Sequence, residues 1–172
     1  FTLSFGPDKG GILGGFSFLG LRSVSGDAWT GTTIPGLLYF AFQLMFAAVT
    51  VALVTGAIAE RMRYLSFFIF VVAFVFIYAF PAHWIWGGGW LSKLGVVDFA
   101  GSIVVHITAG VASIAGALML GRRIGFGKAG LEGHNLSLGA LGGFLLWFGW
   151  FGFNGGSALA ANGVAATALV NT

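Results

Sequence analysis

The residue best suited to chemistry in this sequence is His106, which lies inside a long segment without charged side chains. Residues 99–121 contain no Asp, Glu, Lys or Arg, so the imidazole is surrounded in sequence by apolar neighbours. A neutral imidazole both donates and accepts a proton, and ionisable groups at membrane depth commonly mark a transport path or a relay. Two interpretations stay open: His106 lines a narrow polar path, or a neighbouring helix satisfies its hydrogen bonds.

Asp98 lies just before the same apolar segment. A carboxylate at a helix N-terminus accepts hydrogen bonds from the first backbone N–H groups and interacts favourably with the positive end of the helix dipole. We therefore favour a capping role that also shapes the local electrostatics. The alternative is a fixed negative charge in direct contact with a cation.

Aromatic rings crowd two regions that flank this segment. One holds three tryptophans around the glycines at 87–89, and the other begins at Trp147 and ends with Phe153, Asn154 and Ser157. A tryptophan face attracts a cation by about 2 kcal/mol or more once water is excluded, and a serine hydroxyl accepts hydrogen bonds from an ammonium-like group. Interfacial aromatic belts and ordinary ring packing are the alternatives.

Three further groups have structural interpretations. Phe42 and Phe46 lie at positions i and i+4, so they share one helix face and are expected in the core. His83, beside Pro81, and His134, in a loop, are expected to make local hydrogen bonds.

The composition distinguishes between a soluble protein and a membrane protein. Of 172 residues, 58% are hydrophobic and only 8% are charged, whereas a soluble domain carries about 25% charged residues. A soluble globular domain and a disordered chain are therefore excluded, and an integral membrane protein remains. The absence of cysteine excludes thiolate metal sites and disulfides. No metal site and no cofactor are expected.

Four long stretches without charged residues predict membrane helices, at about 36–59, 64–86, 98–120 and 136–160. A helix needs about 20 apolar residues to cross a bilayer, and barrel strands would be shorter and would alternate in polarity. The predicted fold class is all-α and polytopic. The first 35 residues are predicted to form an exterior loop. Because the chain starts without Met and ends abruptly, we expect a piece of a longer protein.

Basic residues predict the orientation of these helices. The loops at 60–63 and 121–135 hold five of the eight Lys and Arg side chains. The positive-inside rule places both loops in the cytoplasm. The same placement explains the net charge of +3, so nucleic acid is not expected as a partner.

Several motifs resemble those of the ammonium transporter family (Amt/Mep/Rh), and they follow one another in the order found in that family. Residues 98–106, DFAGSIVVH, are similar to a signature of that family. Further similar motifs lie at 56–61, 82–89, 121–128 and 149–158. The resemblance covers nearly the whole chain from Phe40 onward, and the beginning more weakly.

The resemblance implies roles for individual residues. Phe46, Trp86 and Ser157 match an outer recruitment site, where aromatic faces and a hydroxyl hold ammonium. Phe46 and Phe153 match a pair of rings that gate the pore. His106 matches the first of two pore histidines. A further residue, Asp98, matches a largely structural acid behind the outer site.

The resemblance also implies an assembly. The family has eleven membrane helices and forms homotrimers with one pore per subunit, and this chain resembles the end of helix two through the start of helix seven. Trp86 indicates the Amt/Mep branch. The second pore histidine belongs to the later half. A PII-type regulatory protein at the cytoplasmic face and a plasma (inner) membrane location are further expectations.

These observations predict a transporter that conducts ammonium or ammonia during nitrogen uptake, not an enzyme. One alternative is an ammonium-sensing membrane domain coupled to a signalling output. Another is a redox subunit that holds haem at His106.

Overall fold

The N-terminal segment contains short elements in place of the predicted loop. In the computed structural model, which describes residues 1–128 and 131–172, α1 spans Thr2–Phe5 and a 3-10 helix spans Phe16–Leu21. Between them, strands β1 (Asp8–Lys9) and β2 (Leu13–Gly14) pair antiparallel. Sequence periodicity did not reveal these elements because each is too short to show a repeat.

Four helices in the described residues are long and apolar enough to cross a membrane, which confirms the predicted all-α membrane architecture. These are α2 (Gly36–Ile58), α3 (Tyr64–Ile85), a helix over Ser102–Leu120, and α6 (Leu136–Gly156). A short helix α4 (Trp90–Lys93) follows α3, and α7 (Gly163–Asn171) follows α6. The helix at Ser102–Leu120 consists of a π-helical turn, Ser102–Ile107, continued by α5, Thr108–Leu120.

Side chains cap several helix ends through hydrogen bonds to the backbone. The Asn135 and Asn162 amide oxygens accept hydrogen bonds from backbone N–H groups in the first turns of α6 and α7. Arg61 donates to the Ala57 carbonyl of α2 and, at 2.7 Å, to the Gly121 carbonyl that follows α5. One guanidinium therefore pairs carbonyls at the ends of two helices that lack intrahelical partners.

The two basic loops meet at one end of the molecule. Arg123 Nη1 donates to Glu60 Oε2 at 2.7 Å, which ties the 60–63 turn to the segment after α5. Within the second loop, 121–135, residues 129 and 130 lie outside the described residues.

The core lies where α2 and α3 pack against the π-helical turn and α5. Phe46, Val54, Phe74, Val104 and Val105 are all buried there. In contrast, α6 buries only Gly155 and exposes most of its large apolar side chains. Such a surface is suited to lipid or to further membrane helices.

Candidate functional site

Three aromatic rings from three helices converge near one end of the bundle. Phe46 of α2 lies 5.2 Å from the Trp86 ring that follows α3 and 4.5 Å from the Phe153 ring of α6, measured between centroids. Phe46 is only 2% exposed, so it is the enclosed member of the group. The structure thus brings together the two residues expected at a gate and one expected at a recruitment site.

A cavity of about 280 Å³ lies beside these rings. Phe46, Trp86, Asp98 and Ser157, all predicted from the sequence, line it together. Phe153 and His106 do not line it. The residues expected at the recruitment site therefore line one cavity, which the residues expected as the second gate ring and the pore histidine do not line.

Sequence reasoning missed other residues of this cavity. Tyr39 and Gln43 of α2 line it beside Phe42 and Phe46. Their spacing of three to four residues places all of them on one helix face, so the helical repeat was an available signal. The Gln43 side chain is buried, and its Oε1 atom has no hydrogen-bond partner among the described residues.

The cavity lining suits a small cation that carries N–H donors. Ser157 Oγ donates its proton to the Phe153 carbonyl at 2.8 Å, which leaves the oxygen lone pairs as acceptors. Trp86 Nε1 donates to the Asp98 carbonyl at 2.7 Å, which fixes the indole ring. Ring faces and oxygen acceptors attract cations, and the one formally charged residue of this lining, Asp98, is an acid.

Asp98 lies at the end of the loop before the third membrane helix and accepts four hydrogen bonds from the backbone. Its Oδ1 accepts from Gly101 and Ser102, both at 2.8 Å, and its Oδ2 accepts from Ile103 at 2.8 Å and Val104 at 2.9 Å. The carboxylate thus satisfies N–H groups that a helix start leaves without partners. The helix begins at Ser102, later than the predicted residue 98, because Gly101 adopts a left-handed conformation that ends the preceding non-helical segment.

The backbone at Gly101 makes this cap possible. Gly101 has a φ of 102°, in the left-handed region that favours glycine. A Cβ atom there would lie 2.7 Å from Val105 Cγ2 and 3.5 Å from Trp86 Cη2. The glycine therefore lets the start of this helix approach the Trp86 ring.

Gly101→Ala is expected to lower stability by about 1–3 kcal/mol, through backbone strain and overpacking. The measurement is the thermal unfolding of the full-length protein in detergent. Gly110→Ala is the matched control, because Gly110 lies in α5 and a Cβ there meets nothing within 4 Å. Equal melting temperatures for the two variants would contradict the assigned role of Gly101.

His106 lies in the π-helical turn and does not line the cavity. Its Nδ1 atom is 3.1 Å from the Gly101 carbonyl, which only accepts, so Nδ1 carries the proton and Nε2 is left as an acceptor. The His106 ring lies 6.0 Å from Trp150, and Trp150 stacks on Phe153 at 4.8 Å. Aromatic rings therefore connect the Phe46–Phe153 pair to His106.

His83 departs from its prediction. Its expected hydrogen bonds were local, but the ring contacts Ser4 and Asp8 of the N-terminal segment and is fully buried. The sequence carried no signal for this, since the partners are far away along the chain. Within residues 1–128 and 131–172, no group of three or more His, Asp or Glu side chains is placed to hold a metal ion.

The fold and this site define an all-α integral membrane protein whose helices converge on an aromatic cavity. The chain belongs to the ammonium transporter family, because the protein-family model with the description "Ammonium Transporter Family" matches residues 1–172.

Relatives and solved structures agree with this assignment. The chain is 50% identical to "Ammonium transporter Amt1" of Archaeoglobus fulgidus and 48% identical to "Ammonium transporter" of Bacillus subtilis, over 100% of this chain and 42% of each relative. It superimposes on the crystal structure of Candida albicans Mep2 with a TM-score of 0.89 at 38% identity, covering 99% of this chain and 39% of that one. The chain thus spans about two fifths of these proteins, and the two relatives from Archaeoglobus fulgidus and Bacillus subtilis are named as transporters, not as enzymes.

Proposed function

We propose that this chain forms the outer recruitment site, the gate and the first pore histidine of a protein that transports ammonium or ammonia across a membrane. The observation that carries the proposal is the convergence of Phe46, Trp86 and Ser157 on one cavity, next to the Phe46–Phe153 ring pair at 4.5 Å. Family membership supports the substrate class.

Recruitment at this site relies on weak but selective contacts. The Phe46 and Trp86 faces attract a cation as it loses water, while Ser157 Oγ accepts a hydrogen bond from an ammonium N–H. Potassium has no N–H to donate, so the hydroxyl favours ammonium. The buried, unpartnered Oε1 of Gln43 adds acceptor capacity at the wall of the cavity.

Passage beyond the cavity requires that the Phe46 and Phe153 rings separate, because the two rings are in contact. A hydrated ion is disfavoured at such an apolar constriction. His106 then offers Nε2 as an acceptor for the species that has passed the rings. In this mechanism Asp98 acts through its cap and its charge and does not bind the substrate directly.

Charge displacement in proteoliposomes tests the proposal. The full-length protein is given an ammonium pulse and, separately, a potassium pulse. A sustained, ammonium-specific current is expected. If only a brief binding transient appears and ammonia flux is also absent, transport is contradicted and the sensing alternative gains support.

Ser157→Ala is expected to reduce the preference for ammonium over potassium by about tenfold. A hydrogen bond to a charged group is worth about 1.5 kcal/mol or more, and about 1.4 kcal/mol is a factor of ten. The ratio of the two pulse-induced currents measures the effect. Ser137→Ala, on the first turn of the same helix, should keep the wild-type ratio. An unchanged ratio in Ser157→Ala would remove the hydroxyl from the recruitment site.

The assembly is proposed on family membership and on charge placement. We infer a homotrimer with one pore per subunit, in the plasma (inner) membrane, with loops 60–63 and 121–135 in the cytoplasm. The contact between Arg123 and Glu60 joins these loops at one end and supports a common face. That face is the proposed docking surface for a PII-type regulatory protein.

A further inference from the structure

A buried hydrogen-bond cluster outside the pore connects the N-terminal segment to α3 and α4. His83 of α3 is fully buried, with Nδ1 2.8 Å from the Ser4 carbonyl and Nε2 3.0 Å from Asp8 Oδ1. The same carboxylate accepts from the Gly11 N–H at 2.7 Å and, through Oδ2, from Lys93 Nζ at 2.5 Å.

The partners of His83 determine its protonation in this arrangement. A carbonyl oxygen only accepts hydrogen bonds, and so does an ionised carboxylate. Lys93 first, and His83 second, hold the pKa of Asp8 well below its usual range, so the carboxyl does not supply a proton. Both ring nitrogens therefore face acceptors, and both must carry a proton. The buried imidazolium makes two charge-assisted hydrogen bonds.

Neutral His83 fits this cluster poorly. With a single proton, one nitrogen would turn a lone pair toward the Ser4 carbonyl or the Asp8 carboxylate, and a hydrogen bond would become a repulsive contact. Two other elements packed around His83 contribute titratable groups to the cluster. Segment β1 supplies Asp8 and α4 supplies Lys93, whereas α1 contributes the Ser4 carbonyl, which does not titrate.

The cluster is in direct contact with the turn that follows Trp86. A Cβ atom on Gly87 would lie 1.9 Å from the Ser4 carbonyl oxygen and 2.6 Å from His83 Nδ1, so the turn and the cluster are in close contact. The Trp90 N–H also donates to the Gly11 carbonyl at 3.0 Å. The N-terminal segment is thereby held against both ends of this turn.

We propose that His83 is a positioning residue whose proton clamps the N-terminal segment onto the turn after Trp86, so that loss of this proton loosens the outer wall of the recruitment site. The clamp stands on the geometry of the cluster, and its effect on recruitment rests on the proposed function.

The test follows the clamp without transport. A spin label is placed on Ile12→Cys, an exposed position between β1 and β2, in full-length protein with any other cysteines replaced. Label mobility at room temperature is recorded between about pH 5 and about pH 8, the interval in which histidine changes its charge. We expect mobility to rise with pH in the otherwise wild-type protein and this response to be lost in His83→Gln.

His134→Gln is the matched control, because His134 lies in the other loop region and should leave the response intact. A flat response in the wild-type background, which needs no folded variant, overturns the clamp. A wild-type response in His83→Gln overturns it equally.

A second arm separates the clamp from the proposed function. The half-saturating ammonium concentration for the current is expected to rise with external pH in the wild type and to lose that dependence in His83→Gln. If the label responds but the half-saturating concentration does not, the link to Trp86 is overturned. If no ammonium current exists at all, the proposed function fails, and the label alone decides the clamp.

Discussion

Replacing Asp98 with Ala is expected to abolish accumulation of the folded protein. The substitution leaves four backbone N–H groups, at residues 101–104, without the carboxylate that now accepts their hydrogen bonds. Each unsatisfied buried group costs about 1–3 kcal/mol, and folded proteins are stable by only about 5–15 kcal/mol. Gly101 and Val104 are buried, so water does not readily replace the lost acceptor.

Detergent-solubilised full-length protein provides the measurement, as the fraction that elutes as one folded species and its melting temperature. Asp27→Ala is the matched control, since Asp27 is an exposed carboxylate of the N-terminal segment that accepts a hydrogen bond from Ser25. Such surface changes usually stay within about 0.5 kcal/mol. A folded Asp98→Ala protein with the wild-type melting temperature would show that the cap does not hold this helix.

Asp98→Asn separates the cap from the charge. The amide keeps one acceptor oxygen, which retains up to half of the hydrogen bonds, and removes the negative charge. We expect a folded but less stable protein. If the charge at Asp98 also aids recruitment, this variant raises the half-saturating ammonium concentration beyond any change in the amount of folded protein.

The helices were predictable because each property that identifies them is local in the sequence. Runs without charged residues are long enough to cross a bilayer, and they predicted the number and order of the crossing helices. The start of the third helix was not predictable in the same way. It depends on a left-handed glycine, Gly101, and on a π-helical turn over Ser102–Ile107, and neither changes the hydropathy pattern.

The candidate site was also predictable only in part. Residue types and spacing assigned Phe46 to the core and left Phe153, one turn from Ser157, between a pore role and ring packing. Only the resemblance to the family joined Phe46 with Trp86 and Ser157. The reason is that convergence of three helices is a tertiary property. Gln43 was nearer to prediction, because it shares a face of α2 with Phe46. The hydrogen bonds of His83 could not be predicted, since its partners lie far away along the chain, in the N-terminal segment.

His106→Ala is expected to change transport while the fold persists. The Gly101 carbonyl, which accepts from His106 Nδ1, also accepts from the backbone N–H groups of Val105 at 2.9 Å and His106 at 3.0 Å. The substitution therefore leaves no buried acceptor without a partner at Gly101. It does remove Nε2, and an acceptor for a charged donor is worth about 1.5–3 kcal/mol. That range corresponds to about 10- to 100-fold in rate or selectivity.

Ammonium and potassium currents of the full-length protein in proteoliposomes measure this change, with melting temperature recorded in parallel. His134→Ala is the matched control and should transport as the wild type does. If His106→Ala keeps both the rate and the selectivity of the wild type, His106 has no part in conduction.

His106→Gln then distinguishes a hydrogen-bond acceptor from a proton relay. Glutamine offers an acceptor oxygen and does not titrate, so it replaces Nε2 only where the proton stays on the substrate. Full recovery of the current would mean that His106 serves as an acceptor alone. Recovery of ammonia flux without current would mean that the proton normally passes through the imidazole, because a side chain that does not titrate admits the neutral species and interrupts charge transfer.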